Sequence, residues 1–126
     1  MGDWAQVEAI LLAMKALVTG GAGFIGSHIA ERLLRGGHSV RVLDNFSAGK
    51  RGNLAGFSSD VEVIEGDIRD PKLLSVAVAG CEVVFHEAAL VSVPYSVEHP
   101  IETHEINIRG TLNVLEAARA RIALDK

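Results

Sequence analysis

The stretch Leu17–His28, LVTGGAGFIGSH, places glycines at 20, 23 and 26 between an apolar run and a helical pattern. Gly20 permits a tight turn after a strand, Gly23 lets backbone approach an anion, and Gly26 lets the next helix pack closely on the strand. The N-terminus of that helix offers unpaired N–H groups and partial positive charge to a phosphate. The stretch therefore predicts a dinucleotide-binding turn, with a plain strand-to-helix connection as the alternative.

Short β-branched runs alternate with helical patterns through the chain. The predicted strands, whose nearly continuous apolar character is typical of strands covered on both faces, are 15–19, 39–44, 61–65 and 82–86. The predicted helices are 23–37, 70–80 and 101–120. This alternation predicts right-handed βαβ units and an α/β fold. We expect a Rossmann-like parallel sheet in the order 3-2-1-4, with helices on both faces.

Individual residues mark the ends of these helices. Gly36 and Gly37 end the first helix. Asp70 is a candidate N-cap, Pro71 takes the first helical position, and Gly80 ends the second helix. In the third helix one stripe is apolar, formed by Ile108, Leu112 and Leu115.

Composition limits the class of protein. The 126 residues carry a formal net charge of -4, which disfavours nucleic acid and anionic membranes as partners. One cysteine, Cys81, cannot form an internal disulfide, and we expect a cytoplasmic protein. Residues 15–126 are expected to form one domain. Residues 1–14 are either an extended start or a helix, with an apolar face of Trp4, Val7, Leu11 and Met14.

An acidic residue ends the second predicted strand, where dinucleotide-binding folds hold the adenosine ribose. The Asp44 carboxylate can accept hydrogen bonds from the ribose hydroxyls and would repel a 2′-phosphate, which favours NAD over NADP. Lys50 and Arg51 lie close by and keep NADP open. The alternative for Asp44 is a turn residue beside Asn45.

Several segments together carry a family resemblance. They are TGGAGFIGSH, DNFSAGKR, GDIRD, and HEAALVSVPYSVEHP followed by NIRGTLNVLEAAR. At collinear spacing over residues 14–120 they resemble the N-terminal part of the extended short-chain dehydrogenase/reductase family. Within that family they are most similar to the NAD-dependent sugar-nucleotide epimerases and dehydratases, above all the UDP-glucose 4-epimerases. The resemblance implies NAD as cofactor, and a sugar nucleotide as partner only in a full-length context.

The resemblance also implies which residues border the cofactor. At the pyrophosphate, backbone comes from Phe24 and Ile25. The adenosine side is lined by Asp44, Asn45, Ser47 and Gly49. The adenine ring is flanked by Asp67, whose carboxylate can accept from the adenine amino group, and by Ile68. The nicotinamide half passes Ala88, Ala89 and Leu90.

Other polar residues are assigned structural roles or left open. Asp67 has the alternative of a plain loop residue after Gly66. We interpret His86 as a hydrogen-bonded core residue. Asn107 and Thr111 are expected to brace the loop after the fourth strand. No metal site is predicted, because no second cluster supports the set His99, His104 and Glu105.

The catalytic pair of the family is not found in this sequence. In such enzymes a Tyr takes a proton from the sugar hydroxyl, and a Lys four residues later holds the nicotinamide ribose. The single tyrosine, Tyr95, is followed four residues later by His99, so we predict no catalytic residue. The sequence also ends before a fifth strand. It therefore predicts an NAD-binding domain that is inactive alone.

Two alternatives remain beside that prediction. The chain could be an active epimerase or oxidoreductase completed by another chain, or a non-catalytic structural or interaction module. A sheet that ends at the fourth strand leaves an apolar edge open to association. We therefore expect a homodimer, formed through that edge or through the face of helix 101–120.

Overall fold

The sheet has the predicted topology. A computed structural model describes residue 4 and residues 12–124 of the chain. Its four strands are β1 (Lys15–Thr19), β2 (Ser39–Asp44), β3 (Val61–Glu65) and β4 (Val83–His86). They pair in parallel in the order β3-β2-β1-β4. The first three strands match their predicted bounds, and β4 begins one residue later than predicted.

Helices and shorter helical turns connect the strands. They are α1 (Phe24–Arg35), a 3-10 turn (Arg51–Leu54), α2 (Pro71–Ala77), α3 (Val93–Glu98), α4 (Pro100–His104), a π-helical turn (Glu105–Arg109) and α5 (Gly110–Leu124). The sequence patterns predicted α1 and α2 but missed α3. The helix predicted over 101–120 is helical throughout, but it consists of α4, the π-helical turn and α5 in succession instead of one α-helix.

The start of α2 is as predicted, and its end is not. The Asp70 side chain accepts hydrogen bonds from Lys72 N and Leu73 N, so it is the N-cap. The helix ends at Ala77 rather than at Gly80. Buried Arg41 donates from Nη1 to the Ala77 and Ala79 carbonyl oxygens, at 2.7 Å each. A cation at the C-terminus of a helix stabilises the carbonyl groups that have no helical donor, so Arg41 favours a helix that ends at Ala77, three residues before Gly80.

Alternate residues of the strands fill two cores, one on each face of the sheet. One core contains Leu17 and Leu43 together with residues of α2 and α5. The other contains Val18 and Val42 together with residues of α1. Helices therefore cover both faces, as predicted. This explains why the strands read as continuous apolar runs instead of alternating patterns.

The predicted apolar stripe of the last helix faces outward. Ile108, Leu112 and Leu115 are more than half exposed, whereas Gly110 and Val114 are buried. A Cβ at position 110 would lie 2.5 Å from Ile68 Cδ1, so the helix reaches the core through a glycine. Two of the four residues of the helical face predicted for residues 1–14, Val7 and Leu11, lie outside the described residues.

We predict that Gly26→Ala destabilises the fold by more than about 2 kcal/mol, measured by urea unfolding. A Cβ at position 26 would overlap the Gly20 carbonyl oxygen and lie 2.8 Å from Gly20 C. In an open helical position the same change stabilises by about 1 kcal/mol, so the sign of the effect is decisive. Gly52→Ala is the control, because nothing lies within 4 Å of its added Cβ. Equal effects of the two substitutions would contradict the close packing of α1 on β1.

Candidate functional site

The candidate site lies where the strand order reverses. The chain proceeds from β1 to β2 and β3 on one side, then returns to β4 on the other side of β1. Ligands of open parallel sheets bind at the carboxyl ends of the strands at such a point. Here the glycine-rich turn after β1 touches the loop after β4. A Cβ on Gly20, whose φ is +66°, would lie 2.7 Å from Ala88 N.

The N-terminus of α1 borders the crevice, by which we mean the switch-point region between the glycine-rich turn and the loop after β4, and it carries backbone donors without helical acceptors. Gly23 is the N-cap and supplies no side-chain cap, and the first helical hydrogen bond runs from Ser27 N to Gly23 O at 3.0 Å. The N–H groups of Phe24, Ile25 and Gly26 precede that bond, so the helix itself has no acceptor for them. No acidic side chain lies in the first turn. The site can therefore receive an anion.

Ala22, in the glycine-rich turn, has hydrogen-bond partners for both its backbone N–H and its carbonyl oxygen. Ala22 N donates to Asp44 Oδ2 at 2.9 Å. Its carbonyl oxygen accepts from Lys50 N at 3.0 Å and from Asn53 Nδ2 at 2.7 Å. Asn53 was not predicted as part of the site, because an asparagine in a polar loop gives no signal that its partner lies 31 residues away. The loop after β2 is therefore tied to the turn that follows β1.

Asp44 is buried, and both of its carboxylate oxygens already accept hydrogen bonds from the backbone. Its second oxygen, Oδ1, accepts from Phe46 N at 2.8 Å. A Cβ on Gly49 would lie 2.7 Å and 2.9 Å from the two carboxylate oxygens, so the loop passes directly over them. Each oxygen keeps a second lone pair. The contact of Asp44 with a ribose stays a prediction.

Three of the predicted adenosine-side residues form one hydrogen-bonded group. Asn45 Oδ1 accepts from Ser47 N and Ser47 Oγ, and Asn45 Nδ2 donates to Asp67 Oδ2 at 3.1 Å. Arg69 binds the same carboxylate with two donors, Nε at 3.0 Å and Nη2 at 2.8 Å. Chiefly through Arg69, the pKa of Asp67 falls from 3.8 to about 2. Asp67 is therefore an ionised acceptor at the end of β3.

Ile68 is placed differently from its neighbour. Its side chain is 5% exposed and packs in the core against the glycine of α5. Its carbonyl oxygen accepts from Asn113 Nδ2 at 3.1 Å. Only the backbone of Ile68 is left to border a ligand, so its predicted contact with adenine is restricted to main-chain atoms.

The loop after β4 is braced at both ends. Thr19 Oγ1 accepts from Glu87 N at 3.0 Å and from Ala88 N at 3.2 Å. At the other end the Asn107 side chain accepts from Leu90 N at 2.7 Å and donates to Leu90 O at 2.9 Å. The bracing role predicted for Asn107 is confirmed. Ala89, between these ties, is exposed.

In the segment after this loop, the side chains of α3 and α4 contact one another. Tyr95 stacks on His99 with ring centroids 4.2 Å apart, and its hydroxyl donates to Glu102 at 2.6 Å. Among the described residues, no three His, Cys, Asp or Glu side chains group closely enough to hold a metal ion. In the same part of the chain, no helix combines the length and apolar character of a membrane span.

Several known proteins are similar to this chain in sequence and in fold. The NAD dependent epimerase/dehydratase family matches residues 16–125. A putative UDP-glucose 4-epimerase of Methanocaldococcus jannaschii is 43% identical over 104 residues, which are 82% of this chain and 33% of that protein. The UDP-glucose 4-epimerase of Thermus thermophilus, solved in complex with NAD, is 46% identical with a TM-score of 0.78, covering 86% of this chain and 34% of that one.

A relative of a second activity is similarly close in fold. The dTDP-glucose 4,6-dehydratase DesIV of Streptomyces venezuelae, solved with NAD and TYD bound, is 38% identical with a TM-score of 0.80, covering 86% of this chain and 36% of that one. The chain thus spans about a third of the length of these relatives. Over that third, epimerases and a dehydratase share one architecture.

We predict that Arg69→Gln raises the pKa of Asp67 from about 2 toward its ordinary 3.8, measured by NMR titration of the carboxyl carbon. The Arg69 N–H and Asn45 remain as donors, so the shift is expected to be incomplete. Because the wild-type pKa is lowered on folding, ionised Asp67 stabilises the fold above about pH 3.8. That stabilisation is lost as the pH falls toward 2.

Arg119→Gln serves as the control, because that arginine pairs with Glu116 on α5. It is expected to leave the titration of Asp67 unchanged. An Asp67 that titrates alike in both variants would show that Arg69 does not lower its pKa.

Proposed function

Because the chain belongs to the NAD dependent epimerase/dehydratase family, we propose that residues 15–126 form a domain that binds NAD as in the UDP-glucose 4-epimerases. The observation that carries this proposal is the N-terminus of α1, where three backbone N–H groups face the switch point of the sheet without helical acceptors. A diphosphate supplies the acceptors and the negative charge that this arrangement lacks.

The glycines around this helix end fit a phosphate that binds through backbone. The added Cβ at Gly23 would find only Gly20 O, at 3.2 Å, so the space beside the N-cap is open. The residues proposed to bind the pyrophosphate are Gly20, Gly23, Phe24, Ile25 and Gly26. For the adenosine they are Asp44, Asn45, Ser47, Gly49, Asp67 and Ile68, and for the nicotinamide side Ala88, Ala89 and Leu90.

We propose that Asp44 makes the site selective for NAD over NADP. Its carboxylate lies at the end of β2 beside the turn that would hold the phosphates, and it is buried. A 2′-phosphate next to that carboxylate meets like-charge repulsion in a region poorly screened by water. Arg51 stacks on the Phe46 ring at 4.1 Å and pairs with Glu65, so these contacts direct its guanidinium toward Phe46 and Glu65.

The activity of the relatives is proposed only for a protein longer than this chain. Epimerisation needs a proton acceptor and a sugar-nucleotide site, and the matched part of this chain covers only about a third of the relatives' length. Tyr95 is assigned no catalytic role, because its hydroxyl donates a hydrogen bond to Glu102 and the residue four positions later is His99 instead of a lysine. A sugar nucleotide is therefore a proposed partner in the full-length context, and the cytoplasm is the proposed compartment.

We predict that the chain binds NAD about tenfold or more tightly than NADP, measured by calorimetric titration at fixed salt. In Asp44→Asn the ratio of the two affinities is expected to approach one, because the repelling charge is removed. The substitution also weakens the bonds to Ala22 N and Phe46 N and so reduces both affinities. For this reason the ratio, and not either value alone, is the measurement.

Asp60→Asn is the matched control, since Asp60 precedes β3 at the opposite end of the sheet. It is expected to leave the ratio unchanged. If neither dinucleotide binds at millimolar concentration, the proposal is wrong and the alternative of a non-catalytic interaction module is favoured. A ratio that is equal in wild type and Asp44→Asn would remove the assigned role of Asp44.

We also propose that the chain forms a homodimer. Four apolar residues on α4, the π-helical turn and α5 form an outward stripe, and each of them is between 51% and 79% exposed. They are Ile101, Ile108, Leu112 and Leu115. In the described part of the chain, β4 pairs only with β1, so its other edge is open. Exposed apolar side chains along one helical segment and an unpaired strand edge both favour association.

We predict a dimer by multi-angle light scattering at tens of micromolar, and a monomer for Leu112→Glu with Leu115→Glu. The two charges would be buried without partners in an interface formed by the stripe. Val76→Glu is the control, because Val76 is a similarly exposed apolar residue on α2. A monodisperse monomer for wild type contradicts the dimer, and a dimer that survives the double substitution moves the interface to the β4 edge.

A further inference from the structure

A continuous chain of hydrogen bonds runs from β1 through β4 to α5. Thr19 Oγ1 lies 2.7 Å from His86 Nδ1, and His86 Nε2 lies 3.0 Å from Thr111 Oγ1. Thr111 Oγ1 in turn donates to Asn107 O at 2.6 Å. Thr19 is completely buried and His86 is half-buried, so water does not replace these contacts freely. The interpretation of His86 as a hydrogen-bonded residue is thereby confirmed.

The backbone contacts of Thr19 determine the direction of this chain. A hydroxyl has one proton and two lone pairs. Glu87 N and Ala88 N can only donate, and both are directed at Thr19 Oγ1, with Glu87 N shared with Thr19 O at 3.1 Å. The two lone pairs are thus used, and the hydroxyl proton is directed to His86 Nδ1. That nitrogen must be an acceptor.

The rest of the chain follows from this first step. With Nδ1 unprotonated, the neutral imidazole of His86 carries its proton on Nε2 and donates it to Thr111 Oγ1. The Thr111 hydroxyl then gives its own proton to Asn107 O. Each member donates once in the same direction, and no proton is left without an acceptor.

This chain controls the position of the loop Glu87–Leu90. Its first end fixes Thr19 Oγ1 as the acceptor for Glu87 N and Ala88 N. Its last end is bound to the backbone of Asn107, the residue whose side chain holds Leu90. Ala88 N in turn lies against the glycine-rich turn, where a Cβ on Gly20 would come within 2.7 Å. A change at His86 is therefore transmitted to the wall of the proposed NAD crevice.

A second proton on the imidazole is incompatible with these contacts. Nδ1–H would point at a hydroxyl that already accepts two N–H donors, and the Thr19 proton would lose its acceptor. Thr19 would have to release one of the loop amides. Burial likewise lowers the pKa of His86, and among the described residues the charge that opposes this effect is that of Glu87. The side chains that bond to the ring from β1 and α5, those of Thr19 and Thr111, are neutral.

We infer that His86, held as the neutral Nε2–H tautomer, is a positioning residue for the loop Glu87–Leu90, and that its protonation releases this loop and weakens NAD binding. The effect on NAD rests on the proposed function, whereas the tautomer and the response of the loop do not. It acts through Thr19 and the loop, so His86 need not touch the cofactor.

The test has one arm without NAD. NMR of wild-type protein labelled with ¹⁵N reports the imidazole tautomer and the amide signals of Glu87–Leu90 from pH 8 down to the pH at which His86 is protonated. We expect Nε2–H at the upper pH, and loop amides that shift together with the protonation of His86. The Nδ1–H tautomer, or loop amides that do not respond when His86 titrates, would overturn the inference whether or not the protein binds NAD.

The second arm measures NAD affinity against pH. In wild type the affinity is expected to fall as the pH falls, by at most about tenfold per pH unit for one linked proton. His86→Asn keeps an acceptor for Thr19 but cannot be protonated there, so its affinity is expected to be nearly independent of pH. Thr111→Ser is expected to retain the wild-type profile and Thr111→Val to lower affinity, because only serine keeps the hydroxyl.

His28 is the control for a rival origin of the pH dependence. It lies on α1, with Nδ1 2.6 Å from Phe24 O, and it is exposed. His28→Gln is expected to keep the wild-type slope. A slope that disappears in His28→Gln and persists in His86→Asn would overturn the inference, as would a wild-type affinity that does not change over the pH range in which His86 titrates. Absence of NAD binding at every pH would instead refute the proposed function, and the first arm would still decide the role of His86.

Discussion

The close approach of α1 to the carboxyl end of β1 determines where the helix begins and how the neighbouring loops are placed. The added Cβ of any other residue at Gly26 would enter the Gly20 carbonyl group, so the helix can begin this near the strand only with glycine there. This packing directs the unpaired N–H groups of the first helical turn toward the switch point of the sheet. It also brings Gly20 against the loop after β4, so that two loops form one crevice.

Side chains from neighbouring strands hold the backbone of this crevice. Asp44 at the end of β2 and Asn53 beyond it bind the two polar groups of Ala22. On the other side, Thr19 and Asn107 bind the amides of the loop after β4. Because loops lack the regular pairing of strands, such bonds are what give them a defined shape. The binding surface is thus made mostly of main chain, positioned by polar side chains that need not touch a ligand.

The sequence predicted those parts of the fold that depend on local patterns. The β-branched runs indicated the strands, and Asp70 with Pro71 indicated the start of α2, since capping acts within a few residues. The π-helical turn was not predictable in this way, because Ile108 and Leu112 fit a regular amphipathic helix although both face outward. Whether an apolar stripe is buried depends on what packs against it, which periodicity does not specify.

The same distinction separates the predicted from the missed parts of the site. Glycine spacing and the acidic residue at the end of β2 are local signals, and they led to the turn and to Asp44. The bonds from Asn53 to Ala22 and from Asn45 to Asp67 join residues 31 and 22 positions apart, so they arise only in the folded chain. The family resemblance extended the set of candidate residues further than chemistry alone. It could not indicate that the side chain of Ile68 lies in the core.

A crystal structure grown in excess NAD would show whether the start of α1 holds the cofactor. We expect a diphosphate whose oxygens lie about 2.7–3.2 Å from the backbone nitrogens at the start of α1, with the adenosine ribose beside Asp44. A crevice that stays empty at saturating dinucleotide, or a dinucleotide bound elsewhere on the sheet, would contradict it.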